Sequence, residues 1–374
     1  MSKLVNSVFL VSGMAIGSGL ISLPISAARL GMKLTITIVL ITFFIAYKTS
    51  CLTIDLMKKQ GRALSIVELS NEISGKRART ISMISLYLLS LALLCAYFAG
   101  TTSIVSSFFS LGEKIATIIC TVFYAIFFLI RTKTFNRINS SMVFILLTLI
   151  VCVIFSLSPD IIEQNAIQND FSAIMPFLPI IFTSFGVQNA CPYIVSQIGL
   201  NNIKTIKKAF FIGILIPAIV YVLWIYATLS KIYSSDIDLY REILAGKINV
   251  GIFIKALCES VPFKFETFLF EGLSLLAILT SAAGTCIGLI SSLKETTIGK
   301  RKSIIAMVTV GIPAISTLLL ANAFMRILSF GGMIATIFVI FMPVYLESKF
   351  GRIKPANIFC IIFGVLVVVS ELFM

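Results

Sequence analysis

The sequence predicts an all-α membrane protein of about 11 transmembrane helices, the first and sixth of them discontinuous. Three observations carry this. Of 374 residues, 58% are apolar and 12% charged, with a mean hydropathy of +1.05. A soluble domain is about 45–50% apolar and about 25% charged. The apolar residues fall into runs close to the roughly 20 residues that a spanning helix needs. Two of those runs are interrupted by Gly and Pro at matching places in the two halves of the chain.

Several function classes are excluded at once. The chain has no His, so Ser-His-Asp or Cys-His catalysis and His-ligated metals are not expected. The eight Cys are scattered without a CxxC, and all but Cys258 lie in apolar runs, as small core residues do. The Gly-Lys pairs at 75, 246 and 299 are followed by Arg, Ile and Arg, so no phosphate-binding loop of an ATP motor is present. No cofactor is expected, and the chain is not an enzyme by this reading. Net charge is +14, but it lies in short clusters between apolar runs. That pattern reports topology in a lipid bilayer rather than nucleic-acid binding.

The spans are expected near 5–28, 34–57, 80–109, 113–130, 139–158, 173–197, 209–230, 267–293, 303–321, 325–346 and 356–374. One set of alternate loops holds twenty Lys and Arg, including Lys58, Lys59, Arg62, Arg131, Lys207 and Lys300. The other set holds nine, among them Arg29, Lys114 and Arg326. The positive-inside rule puts the first set and the N-terminus in the cytoplasm, and an odd count puts the C-terminus outside. The loop 158–170 carries three acids and no base. Lys3 and Ser26-Ala27-Ala28 imitate a signal peptide, but a single Lys and Gly17-Ser18-Gly19 within the apolar stretch speak against one.

Two segments are too polar to span. Segment 58–79 places Ile66, Val67, Leu69 and Ile73 at near-helical spacing, which suits a short amphipathic helix on the cytoplasmic face. Segment 238–262 mixes apolar and charged residues and is expected to form a re-entrant or surface helix over the external mouth.

The first span contains Gly13, Gly17 and Gly19, then Pro24. The sixth contains Pro176, Pro179, Thr183-Ser184-Phe185-Gly186 and Pro192. Backbone unwound at membrane depth is tolerated only where it faces protein or a water-filled cavity. There its N–H groups and carbonyls become ligands, the first for a carboxylate, the second for an ammonium or a cation. Paired breaks of this kind point to an inverted-repeat transporter with its substrate at the midplane. Gly13-xxx-Gly17 also fits a helix-packing motif. In the eighth span, Thr280 and Ser281 are adjacent hydroxyls near mid-depth, suited either to a small hard cation or to bonds within their own helix. Ionisable residues within spans are few: Lys48, Asp55, Glu266, Glu271 and Glu371. Glu271 is the best single candidate for a proton carrier. Tyr97 lies in the small-residue stretch Cys95–Gly100, where its hydroxyl would reach a cavity or simply pack.

These motifs resemble the hydroxy/aromatic amino acid permeases, which include bacterial tyrosine- and tryptophan-specific carriers. The resemblance runs from Gly13–Pro24 through Leu178–Gly186 with Pro192, Ile216–Trp224, Thr280–Gly284 and Leu328–Gly332. It implies a five-plus-five inverted repeat (about 5–158 and 173–346) with an extra helix at about 356–374. It also implies import of an amino acid, tyrosine or tryptophan, across the bacterial inner membrane by proton symport. The alternative is sodium-coupled or uncoupled transport of another small amino acid, such as serine or threonine. Carried over by position, Gly17, Ser18 and Gly19 would hold the carboxylate. Carbonyls near Gly13, Ile16 and Phe182 would hold the ammonium or a coupling ion. The implied substrate set is Gly13, Ala15, Gly17, Ser18, Gly19, Tyr97, Phe182, Thr183, Ser184, Gly186 and Gln188. The ion-coupling set is Ile16, Glu271, Thr280 and Ser281. Family members often carry His where this chain has Gln188, whose amide does not titrate.

Overall fold

Stripes of large apolar side chains face outward along the long helices. Ile81, Ile84 and Leu88 are exposed on one, and Ile115, Ile118, Val122 and Ile126 on the next. Spacings of three and four residues put each set on one helix face. Contiguous apolar surface of this extent marks a lipid or protein contact. The computed structural model describes residues 3–128, 132–157, 170–260, 264–294, 307–320, 324–351 and 354–373. Arg131, Arg352, the acidic loop 158–169 and the basic cluster 300–302 lie outside the described residues.

All regular structure among the described residues is helical. In chain order the helices are α1 (Lys3–Ala15), α2 (Ser18–Ala27), α3 (Met32–Gln60), α4 (Ile66–Ser74), α5 (Lys76–Phe109), α6 (Glu113–Phe128) and α7 (Thr132–Ser156). Then follow α8 (Ile174–Ser184), α9 (Cys191–Ile198), α10 (Ile203–Ser235), α11 (Ile237–Leu244), α12 (Val250–Glu259), α13 (Lys264–Lys294), α14 (Met307–Leu319), α15 (Phe324–Ser348) and α16 (Pro355–Leu372). Six described helical stretches are long and apolar enough to cross a membrane, and α1 with α2, bent by 49°, makes a seventh. Shorter apolar stretches at Met142–Ser156, Leu269–Ala282 and Met307–Leu319 fall on three further expected spans.

Local chemistry sets the boundaries. Gly61, at φ 72°, ends α3 after Lys58 and Lys59 in its last turn. Ser65 and Glu68 form a capping box at α4, which buries Ile66 and Leu69, so the amphipathic helix expected in 58–79 is present. Segment 238–262 differs from expectation: its described residues, up to 260, form two short helices, α11 and α12, instead of one. Asp236 and Asn249 each cap one N-terminus through their side chains, and the Lys247-Ile248 stretch between them stays non-helical. α12 docks on α5 at Gly251, where a Cβ would lie 2.2 Å from the Ser103 carbonyl.

Proline defects are repaired by side chains from neighbouring helices. Pro217 in α10 has no N–H, which frees the Gly213 carbonyl. Ser12 of α1 donates its hydroxyl to that carbonyl at 3.0 Å. The same region is tightly packed, since a Cβ on Gly213 would lie 2.6 Å from Val11 Cβ. Pro343 likewise frees the Val339 carbonyl, inside a π-helical turn at Ile337–Phe341 of α15. α10 thus lies against α1, α2 and α3, while α5 lies against α6, α12, α13, α14 and α15.

Candidate substrate site at two broken helices

The first break separates α1 from α2 at Ile16-Gly17. The Gly17 N–H donates to the Ala15 carbonyl at 2.8 Å, in place of the Gly13 carbonyl an unbroken helix would use. The second break separates α8 from α9, with a 3-10 turn at Gln188–Ala190 between them. Pro192 in the first turn of α9 has no N–H to satisfy there. Each break therefore interrupts the helical hydrogen-bond ladder, and short turns satisfy part of what it leaves, among them Leu20 N–H to the Gly17 carbonyl and Gly186 N–H to the Thr183 carbonyl.

The two breaks meet at Gly19. A Cβ at that position would lie 2.5 Å from Tyr221 Oη and 2.7 Å from Ser184 Oγ. Tyr221, from α10, is fully buried. Its hydroxyl donates to the Ala15 carbonyl at 2.5 Å and lies 3.3 Å from the Ser184 carbonyl. One O–H therefore spans the last carbonyl of α1 and the last of α8. Phe185 packs edge-on against the Tyr221 ring at 5.4 Å. Tyr221 was not among the residues expected at the site. The available signal was a tyrosine in mid-span, since a buried phenol needs a hydrogen-bond partner.

Gly17 faces α13. A Cβ there would lie 1.9 Å from Ser281 Oγ and 2.8 Å from Ser281 Cβ. The Ser281 hydroxyl is buried and unpartnered, whereas Thr280 donates to the Leu276 and Ala277 carbonyls of its own helix. The adjacent hydroxyls thus separate: Thr280 is satisfied locally and Ser281 is available beside the break. Ile16 is fully buried at the same turn.

Other expected residues fall around this centre with different partners. Gly13 lies within α1 and is a packing position, with a built Cβ 2.3 Å from Val143 of α7. Thr183 donates to Pro179 of its own helix at 2.7 Å and to Leu328 of α15 at 3.2 Å. The Ser184 hydroxyl donates to Ile180. The Phe182 carbonyl accepts the Phe185 N–H, and its ring faces Phe363 of α16. Gly186 is exposed, and a Cβ there would approach only the Thr183 carbonyl, at 3.1 Å. Tyr97 of α5 is buried. The Ser18 and Glu266 side chains lie outside the described residues.

Gln188 ties three elements together. Its Nε2 donates to Thr49 Oγ1 of α3 at 2.7 Å and reaches the Val339 carbonyl freed by Pro343 at 3.5 Å. Its Oε1 is buried without a partner. Glu271 is not brought to the breaks. It lies one turn after Thr267, whose hydroxyl donates to the Cys258 carbonyl of α12 at 3.3 Å, and about 15 Å along α13 from Ser281 at 1.5 Å per residue. At the same end of the bundle, Arg29 pairs with Asp170 at 2.5 Å, joining the end of α2 to the start of the sixth span. Arg29 and Ser172 hold the Asp170 carboxyl below the usual carboxylate range, with the Ser172 hydrogen bonds the larger cause.

Comparison with known proteins gives this geometry a context. The chain is 24% identical to the tyrosine-specific transport system 1 of Haemophilus influenzae over 94% of its length and 89% of the relative's. It is 23% identical to glutamine transporter 2 of Aliivibrio fischeri, covering 91% of this chain and 88% of that one. Its fold is similar to that of a manganese transporter from Eremococcus coleocola, with a TM-score of 0.67 at 13% identity, covering 99% and 86% of the two chains. Residues 1–373 match the family description as a whole. The chain is a multi-pass membrane permease rather than an enzyme, and it belongs to the tryptophan/tyrosine permease family.

Proposed function

We propose that the protein imports an aromatic amino acid across the bacterial inner membrane by proton symport. The observation that carries this reading is the meeting of the two helix breaks at Gly19. The first turn of α2 offers N–H groups to a carboxylate, and the Ala15 and Ser184 carbonyls offer acceptors to an ammonium. An α-amino acid carries both groups on one carbon. The neighbouring exposed Gly186 leaves room for a side chain. The names of the tyrosine- and tryptophan-specific relatives support an aromatic substrate, and the glutamine transporter is the counterweight.

In this reading eleven spans form a five-plus-five inverted repeat and one extra helix, with the N-terminus cytoplasmic and the C-terminus external. The charge bias of the loops supports the orientation. α1, α3 and α10 pack together, and α5, α6, α13 and α14 pack together, which suits one bundle rocking against another. Substrate shifts that equilibrium only by its differential affinity for the two states. For the coupling ion, Glu271 is the proposed proton carrier. Sodium is a specific second reading, favoured by the unpartnered Ser281 hydroxyl beside Gly17.

Uptake of labelled tyrosine, tryptophan, phenylalanine and glutamine into proteoliposomes tests the proposal, under a pH gradient, under sodium, and under neither. Accumulation of an aromatic substrate under the pH gradient alone is expected. Accumulation that needs sodium moves the coupling role to Ser281, and accumulation of glutamine alone rejects the aromatic substrate.

A further inference from the structure

We infer that the Tyr221 hydroxyl occupies the position of the substrate's ammonium in the substrate-free protein, so that an amino acid binds by displacing it. This rests on the amino-acid reading above and adds an internal competitor to it. The Ala15 and Ser184 carbonyls end α1 and α8, and neither has the i+4 donor of a continuing helix; the second lone pair of Ala15 takes the Gly17 N–H at 2.8 Å. A phenol has one proton for both. It leans on Ala15 at 2.5 Å and leaves Ser184 at 3.3 Å.

An ammonium has three N–H groups and a full charge. Hydrogen bonds to an ionised donor are roughly twice as strong as neutral ones. The ammonium therefore suits two converging carbonyls better than the hydroxyl does. Gly19 keeps the place open, since any side chain there would fill the space beside Tyr221 Oη.

The displacement has a mechanical consequence. The Tyr221 ring is held by Phe185, and α10 is fastened to α1 through Ser12–Gly213 and Val11–Gly213. Tyr221 is thus carried with α1, and its hydroxyl is the polar link from that pair to the end of α8. Substrate ammonium replaces this link with one of its own, so binding transfers the tie between the two broken helices from protein to substrate.

The test is equilibrium binding of the standard L-amino acids to purified wild-type and Tyr221→Phe protein. Each amino acid is paired with its analogue lacking the amino group, such as 3-(4-hydroxyphenyl)propionate for tyrosine. Removing the hydroxyl takes away a competing donor at both carbonyls and leaves the Gly17 N–H on Ala15, so the amino acid is expected to bind about 2- to 10-fold tighter, the worth of one hydroxyl–carbonyl hydrogen bond. The deaminated acid is expected to bind as in wild type. Equal changes for both ligands, or unchanged or weaker amino-acid binding, overturn the inference. Site-specific 3-fluorotyrosine at position 221 gives a second readout that needs no stable variant. Its fluorine resonance should move with the amino acid and stay in place with the deaminated acid, and no movement at saturation also overturns it. If only non-aromatic amino acids bind, the aromatic reading fails and Tyr221 is judged on whichever ligand binds. If no amino acid binds, both fall.

Discussion

Replacing Gly17 with Ala adds one methyl group at the first helix break, and the structure sets the consequence. The new Cβ would sit 1.9 Å from Ser281 Oγ and 2.8 Å from Ser281 Cβ. Rotating the serine removes the first clash. It does not remove the second, because Cβ is fixed to the α13 backbone, so α13 and the break must move apart by several tenths of an ångström. Overpacking of this kind costs about 1–3 kcal/mol. At about 1.4 kcal/mol per tenfold, the break keeps its geometry about 5- to 150-fold less often. Initial uptake in proteoliposomes should fall within that range while insertion into membranes is retained. Gly17→Leu should abolish uptake. Ser281→Gly removes both clashing atoms, so Gly17→Ala with Ser281→Gly should recover the packing, measured as a non-additive double-mutant cycle in detergent stability. Wild-type uptake by Gly17→Ala, or strictly additive effects in the cycle, would refute the contact between the break and α13.

Three further contacts set expected outcomes. Ser12→Ala leaves the Gly213 carbonyl unpaired beside Pro217 and should lower stability by about 1–3 kcal/mol, and much less in a Pro217→Ala background, where the helix supplies the missing donor; paired thermal melts check this. Gln188→Leu removes the tie from the sixth-span break to Thr49 and Val339, but also removes the unpartnered Oε1, so its cost should stay near about 1–2 kcal/mol; a larger loss in melting would mean that Gln188 does more than hold helices. The Arg29–Asp170 contact should persist through neutral and mildly acidic pH. Asp170 is held below its unfolded-state pKa, so its contribution is full above the ordinary carboxylate range and is lost as pH falls through the lowered folded value. Hydrogen exchange at the start of the sixth span should rise only in that acid window, by a small amount because the pair is exposed, and Asp170→Asn should remove the dependence.

Much of the architecture follows from the sequence alone, because each of its causes is local. A bilayer core forces long apolar runs into helices, and Gly and Pro mark where the backbone hydrogen bonding fails. Gly17 with Gly19, and Gly186 with Pro192, therefore placed both breaks before any packing was known. The amphipathic α4 was legible from the near-helical spacing of Ile66, Val67, Leu69 and Ile73, while its Ser65–Glu68 capping box came from the structure. Partners across the fold were not legible. Nothing in the spacing of Ser12 and Pro217 links them, and the repair of Pro217 by a hydroxyl from α1 needs two helices to touch. Thr280 and Ser281 look equivalent in sequence. Adjacent residues on a helix point about 100° apart, so packing left one bonded to its own carbonyls and the other free at Gly17. Gly13 and Gly17 look like one motif, yet the first meets Val143 and the second meets Ser281. The role of Tyr221 was decided only by tertiary structure, because its hydroxyl answers to two carbonyls, 206 and 37 residues away in sequence, that become acceptors only once the helices break and converge.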